Sequence, residues 1–294
     1  MLDFKTIELS DKPWIDSLLR LSDFRGCEYC FANNMAWHRM YNTKITRYKD
    51  FYISMSEGDN IYFTFPAGEG DYAEVFNEMK KYAENHNSPL IIGSVTPDKF
   101  TLFKELFHDN CYDISADMGS WDYVYNSSDL ALLAGKKYHS KRNHLKKLLA
   151  LEHSYTPMTE ADFDDCITFA AESYNLNSGY DDRSKVCEQY AINTYFEHFG
   201  QLGLCGGVLR VDGKLAAFTI GERINSDTLG VHIEKADTDI AGAYPAINQF
   251  FSASAGKDYA YINREEDLGI EGLRKAKRSY YPAFMIEKHI IQFK

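Results

Sequence analysis

The chain has 294 residues, which corresponds to two domains at about 150 residues each. Hydrophobic residues make up 45% and charged residues 26%, a balance that excludes intrinsically disordered and fibrous proteins. The formal net charge of −11 opposes nonspecific attraction to nucleic acids and anionic membranes over most of the surface. Any site for a polyanion must therefore be local.

The sequence favours a cytoplasmic protein with no integral membrane association. It has neither a signal-peptide pattern at its start nor a run of roughly 20 apolar residues. Six cysteines are too sparse for a disulfide framework, which indicates a reducing compartment. Cys27 and Cys30 form an isolated CxxC without a second ligand pair at metal-site spacing. We interpret them as ordinary thiols and expect no metal site.

Hydrophobic periodicity predicts alternating strands and helices in the first half of the chain. The predicted elements are a strand at 4–9, a helix from 14, a hairpin of 51–55 and 61–65, a helix at 72–85, a strand at 90–93, a helix at 100–107 and a strand at 121–125. The Gly68-Glu69-Gly70 segment is interpreted as a turn.

The second half repeats nearly the same order of elements. They are a strand at 154–158, a helix ending near 174, a hairpin of 207–211 and 214–220 around Asp212-Gly213, a strand at 229–234, a helix at 246–255, a strand at 259–263, a helix at 270–279 and a strand at 284–291. This repeat predicts an α/β (α+β) fold with mixed sheets, built twice. We expect an N-terminal domain at 1–130, a connecting helix at 131–150 and a C-terminal domain at 151–294.

The connecting segment 135–147 contains six Lys or Arg residues and no acid, in contrast to the acidic chain. As a helix it has an apolar stripe that includes Tyr138, Leu145, Leu148 and Leu149. One interpretation is a solvated connecting helix. The other is a phosphate-binding surface, with Lys141, Arg142 and Lys146 as candidate substrate-binding residues. The sequence leaves both open.

A C-terminal motif resembles that of a known family. From Asn263 the chain reads Asn-x-Glu-x-Asp-Leu-Gly, and from Gly272 it reads Gly-Leu-Arg-x-x-Lys-x-Ser-Tyr-x-Pro. These residues resemble the catalytic domain of the phosphatidylglycerol lysyltransferase family. The resemblance implies tandem N-acetyltransferase-like (GNAT) domains, with the active site in the second copy and aminoacyl-tRNA as donor. The characterised members carry a membrane half that is absent here, so we expect a soluble small-molecule or peptide acceptor.

The same motif predicts a catalytic site from the residues themselves. If the strand continues to Asp267, its period of two places Asn263, Glu265 and Asp267 on one side. Two close carboxylates can deprotonate an amine or hydroxyl, or bind an ammonium group. Tyr280 is a candidate hydrogen-bond donor to the oxyanion or the leaving group. We expect Glu265 and Asp267 to face a solvated cleft; alternatively, Asp267 caps the next helix and Glu265 meets solvent.

Further basic residues follow the motif. Arg274, Lys277 and Arg278 are spaced by three and four, so that Arg274 shares a helix face with each of the others. They are candidates for binding a carboxylate or phosphate, or they complement the helix dipole. His232, on a predicted central strand, is interpreted as a hydrogen-bonded core histidine, with lining the site as the alternative.

Acyl-CoA is a less favoured donor than aminoacyl-tRNA. The segment 239–245, at the place where an acetyltransferase holds its donor pyrophosphate, keeps one glycine, Gly242, and places Asp239 beside it. We expect an aminoacyl- or acyltransferase without a cofactor. The alternatives are a noncatalytic module that binds tRNA or an acidic ligand, a small-molecule sensor, and lipid aminoacyl transfer to phosphatidylglycerol.

Overall fold

The structure is a computed structural model that describes residues 2–108, 111–176 and 182–294. The strands are β1 (Lys5–Thr6), β2 (Thr43–Tyr48), β3 (Phe51–Glu57), β4 (Ile61–Thr64), β5 (Ala67–Gly68), β6 (Ile91–Val95), β7 (Tyr112–Ala116), β8 (Asp122–Asn126), β9 (His153–Pro157), β10 (Cys205–Val211), β11 (Lys214–Arg223), β12 (Thr228–Ala236), β13 (Tyr261–Asn263), β14 (Phe284–Ile286) and β15 (His289–Phe293). Among the described residues, no helix is long and apolar enough to cross a membrane.

The helices are α1 (Lys12–Ser22), α2 (Phe31–Tyr41), α3 (Tyr72–Asn85), α4 (Phe100–Leu106), α5 (Ser127–Leu132), α6 (His139–Leu149), α7 (Phe163–Leu176), α8 (Asp182–Glu197), α9 (Phe199–Leu202), α10 (Ala243–Ser254) and α11 (Glu271–Arg278). Local sequence explains several ends. Asp71 accepts hydrogen bonds from the backbone N–H groups of Ala73 and Glu74, and so caps α3. Within the segment 131–150, where a connecting helix is predicted, the structure has α6 at His139–Leu149, and Leu149 is exposed.

The strands form two mixed sheets, as predicted from the repeated order of elements. The first sheet has the order β1-β2-β3-β4-β6-β15-β7, with β5 paired to β3, and the second has the order β14-β8-β13-β12-β11-β10-β9. Each contains one parallel pair among antiparallel neighbours, β4 with β6 and β12 with β13. The two predicted hairpins, β3–β4 and β10–β11, are also confirmed.

Each sheet contains a strand from the other half of the chain. β8 lies in the first half but pairs with β13 and β14 in the second sheet. β15 is the last strand of the chain but pairs with β6 and β7 in the first sheet. The single last strand predicted at 284–291 is therefore wrong: it is two short strands, one in each sheet.

A shared core joins the two halves. One cluster of buried side chains combines α1 and α2 of the first half with α7, α8 and the second sheet; it includes Ile15, Ala36, Tyr195, Phe218 and Ile233. Two helices of this cluster, α2 and α8, were not predicted from the sequence. Polar residues line the surface between α2 and the second sheet, and this surface forms the site described next.

Candidate active site

A cavity of about 710 Å³ lies between the two halves of the chain, a volume suited to a small organic molecule. Its walls come from α2, β3, β4, β12, the segment that follows β13, and Lys288. The lining is mixed: Trp37, Tyr41 and Tyr62 supply aromatic surface, while Glu28, Glu188, Glu265, Glu266, His232 and Lys288 supply charge.

His232 is held between two carboxylates at the cavity wall. Its Nδ1 lies 2.7 Å from Glu265 Oε1 and its Nε2 lies 3.1 Å from Glu222 Oε1. Burial lowers the pKa of His232, but the two hydrogen-bonded carboxylates outweigh it and raise the pKa to about 10. The imidazole is therefore charged at neutral pH, and each ring nitrogen donates to one glutamate. His232 is a buried, hydrogen-bonded histidine that also lies in the cavity lining, so each sequence interpretation holds in part.

Asp122, at the start of β8, organises the floor beneath the cavity. This fully buried carboxylate accepts hydrogen bonds from Lys288 Nζ at 2.6 Å, Asn263 Nδ2 at 2.9 Å and the Cys27 backbone N–H at 2.9 Å. Lys288 also contacts Glu28 Oε2 at 2.8 Å. Despite burial, Asp122 and the other nearby anions raise the pKa of Lys288, which therefore stays charged.

Glu266 lies in the cavity without a cationic partner in hydrogen-bond contact among the described residues. Its carboxylate accepts a weak hydrogen bond from the Cys27 thiol at 3.6 Å. Burial raises the pKa of Glu266 to about 7, and Asp122 and Glu265 add to that effect while Lys288 opposes it. The two adjacent cavity carboxylates are thus Glu265 and Glu266, and Glu266 titrates near neutral pH.

The predicted alignment of Asn263, Glu265 and Asp267 on one strand face is wrong. The strand ends at Asn263, and Glu265 and Leu268 have positive φ values of 59° and 53°. Asn263 is buried and accepts the Glu265 backbone N–H through its Oδ1 at 2.7 Å, which stabilises the turn into the cavity. Of the three predicted residues, only Glu265 lines the cavity.

The expectation that Asp267 faces a solvated cleft is also wrong, because its side chain is 0% exposed. It accepts hydrogen bonds from Arg274 Nε at 2.8 Å, Tyr123 Oη at 2.6 Å and the Gly269 backbone N–H at 2.8 Å. Burial raises its pKa, but these donors lower it to about 2. Asp267 fixes the turn before α11; a catalytic role remains a prediction.

Tyr280 lies on the opposite face of the second sheet, among cationic side chains. Its ring is 3.8 Å from Lys141 Nζ and 4.9 Å from the Arg264 guanidinium carbon. Burial and the nearby Arg264 lower the pKa of Lys141 to about 8. Arg264 donates to Glu234 at 2.8 Å, and its buried Nη1 has no hydrogen-bond partner among the described residues. We call Lys141, Arg264 and Tyr280 the cationic cluster.

The other predicted basic residues have separate surroundings. Arg274 pairs with Asp267. Lys277 is half-buried and donates to the carbonyl oxygens of Arg264 and Glu265; desolvation lowers its pKa. Arg142 donates to the carbonyls of Leu133 and Gly135, whereas Lys146 and Arg278 are exposed. Of Arg142, Lys146, Arg274, Lys277 and Arg278, only Lys146 and Arg278 are thus exposed for an outside ligand.

Gly242 begins α10 with a φ of 98°. A Cβ there would lie 2.2 Å from the His144 carbonyl oxygen and 3.2 Å from Leu148 Cβ. The backbone of α6 therefore packs directly on the start of α10, the place where the sequence comparison with acetyltransferases puts a donor pyrophosphate. Glycine is required here both for the close approach and for the left-handed backbone.

Two groups of side chains have potential metal-ligand atoms within 4.8 Å of one another, Cys30–Glu222–His232 and Cys27–Glu28–Asp122. Protein hydrogen bonds already engage them: His232 contacts Glu222 and Lys288 contacts Asp122. Burial, with adjacent anions, also raises the pKa of both cysteine thiols, which disfavours the thiolate that a metal would need.

Sequence reasoning did not select Glu222, Glu266, Asp122 or Lys288 as site residues. Glu222 and Asp122 each interrupt otherwise apolar or aromatic strand sequence, and a buried charge in a strand is a usable signal. Glu266 occupies a variable position within the quoted motif. Lys288 lies between two short strands, with no local pattern that points to the cavity.

The paired mixed sheets and the cavity between the halves define the class, a tandem acyltransferase fold of the GNAT type. A tandem GNAT protein from the clavulanic acid biosynthesis pathway is similar over 99% of this chain and 98% of its own, with 9% identity and a TM-score of 0.53. The chain belongs to the phosphatidylglycerol lysyltransferase C-terminal family, whose model matches residues 19–292. It is thus a member of a family named for a transferase.

Two further solved structures are similar over nearly their whole length. A conserved protein of unknown function from Bacteroides thetaiotaomicron VPI-5482 is 36% identical, with 100% of both chains covered and a TM-score of 0.95. The L-PGS structure from Bacillus licheniformis is 13% identical, covers 97% of this chain and 92% of its own, and has a TM-score of 0.67. No match was found among curated proteins.

Proposed function

We propose that the protein transfers an aminoacyl group from aminoacyl-tRNA to a soluble acceptor held in the cavity. The observation that carries the proposal is the divergence of two consecutive residues at the end of β13. Arg264 contacts Glu234 and Tyr280 within the cationic cluster, whereas Glu265 contacts His232 at the cavity. The polyanionic donor can thus bind at the cationic cluster, and the small acceptor can bind in the cavity on the other side of the strand end.

The donor side combines the cationic cluster with exposed lysines in α6 and in the turn that precedes it. Lys136, Lys146 and Lys147 are exposed close to the cluster in sequence, within an otherwise acidic protein. Such a local basic surface attracts phosphates mainly through charge. Tight packing of α6 on Gly242 disfavours acyl-CoA, since backbone already occupies the approach to the start of α10. The family name supports aminoacyl transfer.

The reaction requires an acceptor amine or hydroxyl to attack the ester carbonyl of the donor. Binding both reactants to one protein supplies proximity and orientation. The charged His232, fixed by two glutamates, holds Glu265 in place at the cavity wall. Asn263 stabilises the same turn. Tyr280 lies on the opposite face of the sheet, so we propose that it contacts the donor there and does not act on a reacting carbon inside the cavity. The proposal requires no metal or cofactor.

The test is turnover with the full chain. Purified protein is incubated with a mixture of ¹⁴C-aminoacylated tRNAs and pools of small amines, hydroxyl compounds and peptides, and labelled products are separated from hydrolysed amino acid. We expect a labelled amide or ester product in at least one pool. Phosphatidylglycerol vesicles form a separate arm, and transfer to that lipid would contradict the soluble acceptor. tRNA binding with no product in any arm would favour the noncatalytic module.

A further inference from the structure

The charge of the cavity does not balance. The described residues that line it include four carboxylates, Glu28, Glu188, Glu265 and Glu266, and two cations, His232 and Lys288. Both cations have protein partners: His232 contacts Glu265, and Lys288 contacts Glu28. Glu188 is paired as well, with Lys235 at 2.8 Å. Among the described residues, only the Cys27 thiol and the Glu266 backbone N–H are available to the Glu266 carboxylate. When ionised, this carboxylate is a desolvated anion, which is costly without a partner.

Aromatic side chains complete the same cavity. Trp37 and Tyr41 form a tilted ring pair with centroids 6.4 Å apart, and Tyr62 lies on the β4 side. Aromatic faces attract organic cations and pack against their apolar parts. A desolvated carboxylate beside an aromatic wall can bind a primary ammonium group that is attached to an apolar carbon skeleton.

We propose that the cavity binds the acceptor as a primary organic ammonium ion, with its charged nitrogen against Glu266. The inference rests on the proposed function, in which the acceptor is an amine or a hydroxyl compound. It limits the acceptor to an amine. The aminoacyl group of the donor also carries an ammonium group, which the same cavity chemistry would recognise. The acceptor is the assigned occupant because the cationic cluster, which suits the donor's phosphates, lies on the opposite face of the sheet.

Glu266 then has a defined role in the transfer step. Its carboxylate takes one proton from the bound ammonium ion, which frees the nitrogen lone pair to attack the donor's ester carbon. The new C–N bond forms and the ester C–O bond breaks. The second nitrogen proton goes to the departing ribose oxygen, and Glu266 returns the first proton to solvent. The products are an amide, deacylated tRNA and one proton.

The pH dependence of binding follows from the surroundings of Glu266. The charged or titratable groups that interact with it include Asp122, Glu265, Lys288, Cys27, Tyr41 and Lys277. With the carboxyl pKa at about 7, the ionised fraction rises about tenfold between pH 6 and 8, while an alkylamine stays protonated. Amine affinity should therefore rise about tenfold over this range.

The experiment measures binding without requiring turnover. Isothermal titration calorimetry on the full chain compares 2-phenylethylamine and hexylamine with 2-phenylethanol, hexanoate and phenylalanine amide. Simple amines should bind at least tenfold more tightly than the neutral or anionic analogues. Glu266→Gln should remove that preference and the pH dependence, whereas Glu105→Gln, at an exposed position on α4, should keep both. Thermal melting of each variant identifies any loss of fold.

The outcomes separate this inference from the proposed function. Equal binding of amine and alcohol, or an unchanged amine preference in folded Glu266→Gln, would overturn it. Tighter binding of phenylalanine amide than of both simple amines would assign the cavity to the donor's aminoacyl end and overturn it as well. Amine binding through Glu266 without turnover would refute the proposed function alone, and turnover with hydroxyl acceptors only would refute the amine assignment alone.

Discussion

The Asp267→Asn substitution tests whether the aspartate of the Asn-x-Glu-x-Asp-Leu-Gly motif stabilises the fold or takes part in catalysis. Asp267 is fully buried and accepts hydrogen bonds from Arg274, Tyr123 and the Gly269 backbone. Its pKa is lowered from 3.8 to about 2. At about 1.4 kcal/mol per pKa unit, ionised Asp267 stabilises the fold by about 2.5 kcal/mol at neutral pH. Arg274 is one-third exposed and can be hydrated, so the cost should fall below the roughly 3–5 kcal/mol of a fully buried broken pair.

The assay is urea unfolding of wild type and Asp267→Asn from pH 7 to the acid limit. A carboxyl with a lowered folded pKa contributes stability above its unfolded pKa and loses it as pH falls through the folded pKa. The difference should be about 2–3 kcal/mol at pH 7, stay constant to about pH 4.5 and shrink below pH 4. Asp59→Asn, at an exposed turn position, should change stability by less than about 0.5 kcal/mol. A difference below 0.5 kcal/mol for Asp267→Asn, with transfer activity lost, would refute the structural role and support catalysis.

Three further outcomes are expected. Lys146→Glu with Lys147→Glu should reduce the slope of log affinity against log salt for tRNA by roughly one to two, because two exposed phosphate contacts are removed; filter binding measures this, and an unchanged slope would contradict it. His232→Gln should destabilise the fold most near pH 6 and progressively less from pH 6.5 to 10, since a raised folded pKa gives stability that is lost as pH rises through it; chemical unfolding at stepped pH checks the direction. Gly242→Ala should lower stability by more than about 1 kcal/mol in thermal melts, because of its φ of 98° and the clash with the His144 carbonyl.

The repeated elements could be predicted because their signals are local. Asp212-Gly213 specifies one hairpin, and the apolar spacing of Val75, Phe76 and Met79 specifies α3. The helix α2 was missed because its buried residues, Phe31, Ala32 and Ala36, are separated by polar and aromatic residues that obscure a single stripe. Its burial comes from packing against α8, a tertiary contact that local periodicity does not encode.

The candidate site was harder to predict because it depends on backbone turns and long-range pairs. The region was correct, and Glu265 is in the cavity. The period-two argument fails because Glu265 itself adopts a positive φ, which reverses the chain and brings Glu266 to the cavity while Asp267 turns inward. The Asp122–Lys288 contact joins residues 166 positions apart. Residue type and spacing carry no information about such a pair.

The exchange of β8 and β15 between the sheets imposes an order on synthesis. The first sheet contains β15 between β6 and β7, so a ribosome must release the last five strand residues, His289–Phe293, before that sheet can close. Until then, the facing edges of β6 and β7 have no partner, and unpaired edges promote aggregation. A fragment that stops near residue 130 should therefore expose these edges, and pairings this distant in sequence slow folding. Synthesis of β15, rather than assembly of the first half, is expected to trigger formation of the native cavity.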